Sequence, residues 1–230
     1  MKAFLLAAGI GSRLRPITDT TPKCMVPIAG KPMLDIWLDA FDQAGVDEVL
    51  INLHHLAGIV RDHLAARTGA ARIRTVFEPA LLGSAGTLAA NRAWVGDDEF
   101  FLACNADNLT DFDLRSLIKA HGHGGAAATL GVFRSANPSA GGVVETDADG
   151  VIRSFQEKPE HPVSDLVNAG LYAFSASVLD EIKGDPPQDI GYHLLPQLVG
   201  RARVVLVDGY FRDIGTPDSY RHAQEEWTSR

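Results

Sequence analysis

Short apolar, β-prone runs alternate with amphipathic stretches through roughly the first 130 residues, and no other feature constrains the fold of this chain as much. The runs fall at 2–8, 48–53, 73–77, 99–104 and 127–133. Between them, apolar residues recur at helical spacing over 32–44, 56–66, 84–94 and 113–121. A chain that alternates in this way predicts a largely parallel sheet covered by helices. In open sheets of that kind ligands lie beyond the carboxyl ends of the strands. The loops that follow three of the runs, 9–11, 78–83 and 105–108, are polar or glycine-rich and are where a site belongs.

Past residue 133 the texture changes. Strands are expected at 143–146 and 151–155, joined across 147–150 by a hairpin turn that ends in Asp-Gly. A further strand at 167–174 precedes a helical stretch near 175–182, and another strand at 202–207 precedes a terminal helix. Thr216 can cap that helix, and Pro217 suits its first position. The expected fold is therefore α/β: a Rossmann-like, mainly parallel mixed sheet with helices on both faces and a small β extension. With 230 residues and no repeat or flexible linker, one domain spanning 1–230 is expected, its halves being 1–133 and 134–230.

Apolar residues make up 46% of the chain and charged residues 22%, enough for a substantial core and too apolar for disorder. A net charge of −8 argues against a nucleic-acid partner. A small anionic substrate is still allowed, because a few local Lys and Arg residues can focus a field against the net charge. Cys24 and Cys104 form no metal or disulfide pattern and read as reduced thiols. The opening MKAFLLAAG is too short in its apolar run, and lacks a cleavage site, to read as a signal peptide. No stretch reaches the length of a membrane span, so no membrane partner is expected and the location is expected to be cytoplasmic.

The segment 9–31 carries glycines, prolines and basic residues with little sign of regular structure, and loops of that length in compact domains are commonly functional. Gly9 and Gly11 would let backbone N–H groups approach a phosphate, and Arg13 and Lys23 add positive charge, one as a planar fork and one as a mobile point charge. Two known phosphate motifs fail here. Leu14 stands where the dinucleotide fingerprint needs a small residue, and Gly30-Lys31 is followed by Pro32 rather than Ser or Thr. A plain glycine turn is the bland alternative.

The stretch GIGSRLRP…PKCMVPIAGKP resembles the opening signature of the sugar-1-phosphate nucleotidylyltransferases. The resemblance recurs in order through EPALLGSAGTL, NADN, SFQEKP, NAGLY and FRDIGTP, and the short chain looks like the single-domain mannose- and heptose-1-phosphate guanylyltransferases. It implies the nucleotide-diphospho-sugar transferase fold, with 1–133 as the nucleotide-binding half and 134–230 as the sugar-binding half. It also implies Mg²⁺ as cofactor, an NTP and a sugar 1-phosphate as partners, and homodimer formation as a family expectation.

The resemblance assigns residues as well. Ala8, Gly9, Gly11 and Ser12 would surround the triphosphate, with Arg13 on the leaving pyrophosphate and Lys23 at the reacting phosphates. Asp107 and Asp213 would bind Mg²⁺, although each can also be read as an ordinary turn residue. Glu157 would accept sugar hydroxyls and Lys158 would meet the sugar phosphate, with Gly142 and Asn168 as further sugar contacts. Glu78 and Gly83 would line the base. A carboxylate at Glu78 can accept the adjacent N1–H and N2–H of guanine, whereas uracil and thymine suit an amide better, so GTP is favoured.

Several positions depart from the family pattern. Ser12, Cys24, Ala106, Gly141 and Phe211-Arg212 each replace a more usual residue, which blurs base and sugar choice without removing a charge the reaction needs. His54-His55 reads as a pair of loop histidines. Uridylyl or thymidylyl transfer, and a non-catalytic nucleotide-sugar sensor on the same fold, are the alternatives. An NAD-dependent oxidoreductase is disfavoured by the failed fingerprint.

Overall fold

A computed structural model describes residues 1–123 and 125–228. The chain forms two compact units. One holds Met1–Ala80, Asn105–Phe112 and the described part of Gly209–Arg230; the other holds Leu81–Cys104 and the described part of Asp113–Asp208.

In the first unit the strands Lys2–Leu6, Glu48–Leu53 and Arg72–Phe77 are parallel, with Glu48–Leu53 in the middle. Val49 to Leu53 are all buried, as expected of a central strand covered on both faces. Helix Met33–Gln43 buries Met33, Leu34, Trp37, Leu38 and Phe41, one stripe of its surface, and the Trp37 indole donates to Asn108 O at 3.0 Å. The stretch expected to lack regular structure is built from three single-turn 3₁₀ helices, Ser12–Leu14, Ile17–Asp19 and Lys23–Met25, followed by a two-residue ladder of Pro27–Ile28 with Lys31–Pro32. Each turn is too short to show a helical period, and its prolines limit how far it can run.

A separate apolar cluster fixes this loop. Leu14, Val26, Ile28, Met33, Leu109, Tyr210, Ile214 and Ala223 bury one another, drawing on parts of the chain that are remote in sequence. Helix Pro217–Thr228 supplies Ala223, and Thr216 Oγ1 accepts from Ser219 N at 3.2 Å, the cap expected from the sequence. From the same helix Glu226 grips the Arg212 guanidinium through both carboxylate oxygens, and Gln224 accepts from Ala29 N at 2.8 Å.

The second unit is mostly antiparallel. Its long strand Leu166–Ser175 pairs with Phe100–Asn105 through Cys104 and with Ala128–Arg134, and touches Gly142–Thr146 at Val167. Ile152–Glu157 runs antiparallel to Gly142–Thr146, and Ala202–Leu206 lies parallel to Ala128–Arg134. The strands of the chain are thus mixed, parallel in the first unit and largely antiparallel in the second. The expected hairpin at 147–150 is present: Asp147 Oδ1 accepts from Asp149 N and Val151 N, and Gly150 takes φ 75°. Two helical expectations shift. The stretch 84–94 is broken at Asn91 into Ser84–Ala90 and Arg92–Val95, because the Asn91 amide turns back to donate to Thr87 O at 2.9 Å. The stretch near 175–182 is a short 3₁₀ helix, Ala176–Asp180. Among the described residues no helix is long and apolar enough to cross a membrane.

His121, at the end of helix Leu114–Gly122, is buried with Nδ1 3.0 Å from Thr129 Oγ1, and burial lowers its pKa from the usual histidine value. The unfolded chain takes up this proton near pH 6.5 while the folded chain resists it, so the contribution is present above about pH 6.5 and lost as pH falls through the folded value. Urea melts of the wild type should therefore lose stability between about pH 7 and pH 5.5 more steeply than melts of His121→Gln. Parallel pH slopes would contradict this reading.

Candidate active site

The site in the first unit begins where the strand Lys2–Leu6 ends. Ala7 N donates to Asn52 Oδ1 at 2.7 Å, Ala8 is buried, and Gly9 has no atom within 4 Å of where a β-carbon would sit. Gly11 adopts φ 71°, and its carbonyl accepts from Leu14 N at 2.9 Å and from Thr18 Oγ1 at 2.7 Å. A β-carbon there would lie 2.8 Å from Thr18 Cγ2, so the glycine is needed for the turn itself. His55 Nε2 donates to Thr18 O at 3.0 Å, consistent with a structural loop histidine. Ser12 and Arg13 are left exposed, and among the described residues Arg13 makes no ion pair or hydrogen bond.

Lys23 is the central charge. Only 10% of its side chain is exposed, and Nζ lies 2.5 Å from Asp107 Oδ2 and 4.0 Å from Asp213 Oδ1. The two aspartates meet because the strands Asn108–Thr110 and Phe211–Asp213 pair antiparallel, with Asp213 opposite Asn108, and Ile214 N donates to Asp107 O at 2.9 Å. Gly215 lets Arg13 approach as well. A β-carbon there would be 2.9 Å from Asp213 Oδ1 and 3.0 Å from an Arg13 terminal nitrogen. Gly9, Lys23, Cys24 and Asp107 line a small cavity of about 30 Å³ in this region. Cys24 is an inert part of its wall, since burial pushes the thiol up to about 12.

Among the described residues no three His, Cys, Asp or Glu side chains gather into a self-sufficient metal site. Two aspartates within reach of one cation nevertheless fit Mg²⁺, which keeps several waters and commonly takes one or two carboxylates together with substrate phosphates.

Glu78 follows the strand Arg72–Phe77 and is buried, 3% exposed. Its Oε1 accepts from Asn52 Nδ2 at 2.9 Å, and its carbonyl accepts from His54 Nδ1 at 2.7 Å.

In the second unit Glu157 ends the strand Ile152–Glu157. Among the described residues no donor is hydrogen-bonded to its carboxylate. Burial raises its pKa above the ordinary carboxylate value, Lys158 opposes that shift and Asp189 adds to it. A β-carbon on Gly142 would lie 2.8 Å from Glu157 Oε2, and one on Gly191 would press on the same oxygen more closely still. The next residue, Lys158, sits at φ 48°, a strained setting for a side chain with a β-carbon, and its N–H is held by Gly141 O at 3.0 Å. Asn168 is engaged in its own strand: Oδ1 accepts from Gly170 N and Nδ2 donates to Tyr172 Oη at 2.7 Å, where the register shifts.

Gly83 serves the backbone directly. At φ 77° and ψ 161° it packs onto Gln188, whose carbonyl accepts from Ala85 N and Gly86 N. Ser84 Oγ donates to Asp189 Oδ2 at 3.1 Å and accepts from Ile190 N at 2.8 Å. Asn52, Ser84, Asp189 and Gly191 are the residues that sequence reasoning passed over. Asn52 alone left a trace, a polar residue inside an otherwise apolar strand.

The chain matches the family model described as nucleotidyl transferase over residues 2–230. It is 34% identical over 224 residues to the mannose-1-phosphate guanylyltransferase catalytic subunit beta of Drosophila melanogaster, an alignment covering 95% of this chain and 60% of that protein. It is 37% identical over 244 residues to the UTP–glucose-1-phosphate uridylyltransferase of Synechocystis sp., covering 97% and 62%. The chain thus spans about three-fifths of the length of these curated relatives. HddC from Yersinia pseudotuberculosis shares the fold with a TM-score of 0.83 at 24% identity, over 98% of this chain and 99% of that one.

The backbone at Gly83 is essentially restricted to glycine, so Gly83→Ala should destabilise the protein by about 3 kcal/mol. Gly58→Ala, in the open on helix Ala57–Ala65, should be neutral or stabilising by up to about 1 kcal/mol. Chemical melts of the two variants check the pair, and equal effects would refute the account of Gly83.

Proposed function

The chain belongs to the nucleotidyl transferase family, and on that premise we propose that it transfers a nucleoside monophosphate from an NTP to a sugar 1-phosphate, releasing pyrophosphate. The observation that carries this reading is the Lys23 ammonium placed between Asp107 and Asp213 beside a glycine loop that leaves room at Gly9. A mostly buried cation that an incoming phosphate can share, next to two carboxylates, suits a reaction between polyanions.

In the proposed reaction a sugar-phosphate oxygen bonds to the α-phosphorus as the bond to the pyrophosphate oxygen breaks. No bond to the protein forms. The work of the chain is to hold the reactants in line and offset their charge. Lys23 meets the reacting phosphates, and the uncommitted Arg13 fork takes the leaving pyrophosphate. Asp107 and Asp213 would hold Mg²⁺, which when bound offsets phosphate charge. Glu157, whose carboxylate has no hydrogen-bond donor among the described residues, accepts sugar hydroxyls, and Lys158 meets the sugar phosphate. Gly142 keeps the space beside Glu157 open, while Asn168 acts through the strand it braces.

GTP is the favoured nucleotide. Glu78 offers a carboxylate to guanine, the Drosophila relative is named a guanylyltransferase, and HddC is known in complex with GMP-PN. The Synechocystis relative supports UTP as a second reading. Pyrophosphate release with Mg²⁺, crossing GTP, UTP, dTTP, CTP and ATP with a panel of sugar 1-phosphates, separates them. Release that needs one NTP and one sugar phosphate together supports transfer and identifies both. Silence across the panel would favour a non-catalytic sensor.

Asp107→Ala and Asp213→Ala should each lower turnover by about 10²–10³-fold, the loss typical of a major electrostatic stabiliser. Steady-state rates of pyrophosphate release check this, and full activity in either variant would sink the metal assignment.

A further inference from the structure

One buried amide holds the starts of two loops in the first unit. Asn52 lies near the carboxyl end of the central strand Glu48–Leu53 and is 5% exposed. On one side its Oδ1 accepts from Ala7 N at 2.7 Å, just past the end of the strand Lys2–Leu6 and before the glycine loop. On the other its Nδ2 donates to Glu78 Oε1 at 2.9 Å, just past the end of the strand Arg72–Phe77. The two partners demand opposite chemistry, since an N–H needs an acceptor and a carboxylate needs a donor. Only a side-chain amide presents both on one short planar head. Aspartate would keep the acceptor and lose the donor, and leucine would lose both.

We infer that Asn52 is a positioning residue for nucleotide selection, orienting the Glu78 carboxylate towards the base while fixing the start of the glycine loop. The inference rests on the guanine reading of Glu78 given above. A carboxylate that must accept two N–H groups of one base edge has to be restrained in rotation, and the bond from the buried Asn52 amide to Oε1 restrains it. The bond also supplies part of the solvation that Glu78 loses by burial at 3% exposure. His54, whose Nδ1 donates to the Glu78 carbonyl, holds the backbone of the same residue.

The test is a double-mutant cycle of Asn52→Asp and Glu78→Gln, read as KM for GTP, UTP and the sugar 1-phosphate, with a thermal melt of each protein. Glu78→Gln should weaken GTP use more than UTP use. Asn52→Asp should raise KM for GTP about tenfold, as expected when a charge-assisted hydrogen bond is lost, and leave KM for the sugar phosphate within about twofold. In the double variant donor and acceptor are exchanged and the bond can form again, so it should be no worse for GTP than Glu78→Gln alone. Independent, additive losses, or an equal loss for GTP and UTP, would overturn the inference while leaving the guanine reading intact. An unchanged GTP-to-UTP preference in Glu78→Gln would overturn that reading and the inference with it. If Asn52→Asp melts too early to assay, Asn52→Ala removes the donor, and the acceptor with it, without adding a charge, and the same split between GTP and UTP is expected of it.

Discussion

The ion triad of Lys23, Asp107 and Asp213 is the interaction around which the first unit is organised. An ammonium with a tenth of its side chain exposed is costly unless carboxylates or phosphates surround it, so the segments that carry these groups must arrive together. They come from an early loop, from the turn after Asn105 and from a strand near the end of the chain. Three features deliver them: the apolar cluster around Leu14, Leu109 and Ile214, the short ladder that sets Asp213 opposite Asn108, and the Arg212–Glu226 pair that fastens the terminal helix.

The second unit shows the complementary arrangement. Asp189 accepts from Ser84 Oγ and two backbone N–H groups, whereas among the described residues Glu157 beside it has no donor. A partly buried carboxylate in that condition is costly, and its raised pKa is the measure of that cost. Glycines at 142 and 191 leave room around the same carboxylate, and Lys158 keeps a backbone conformation that a side chain resists. Unsatisfied and strained groups gathered in one place fit a site that is completed by its ligand.

Much of this was legible in the sequence. The strand at 48–53 and the helices at 32–44 and 113–121 could be placed because each is a continuous apolar run or a clear helical stripe. The residues of the triad were named by resemblance, since no spacing rule could bring Asp107 to Asp213. That convergence depends on a three-residue ladder too short to leave a period. The 3₁₀ turns of the glycine loop were hidden for the same reason. Asn52 and Asp189 escaped notice because their roles lie in whom they bond, which a single chain of letters does not encode. Gly83 and Asn168, read as ligand contacts, turned out to have immediate backbone duties as well, on Gln188 and on the bulged strand.

In the proposed reaction the chain brings its substrates together and offsets their charge without bonding to either. The stereochemical course at the α-phosphorus tests it most directly, using an α-thio NTP of known configuration and determining the configuration of the nucleotide-sugar product. A single in-line displacement predicts inversion. Retention would require two displacements through a bond to the protein, and would contradict the account.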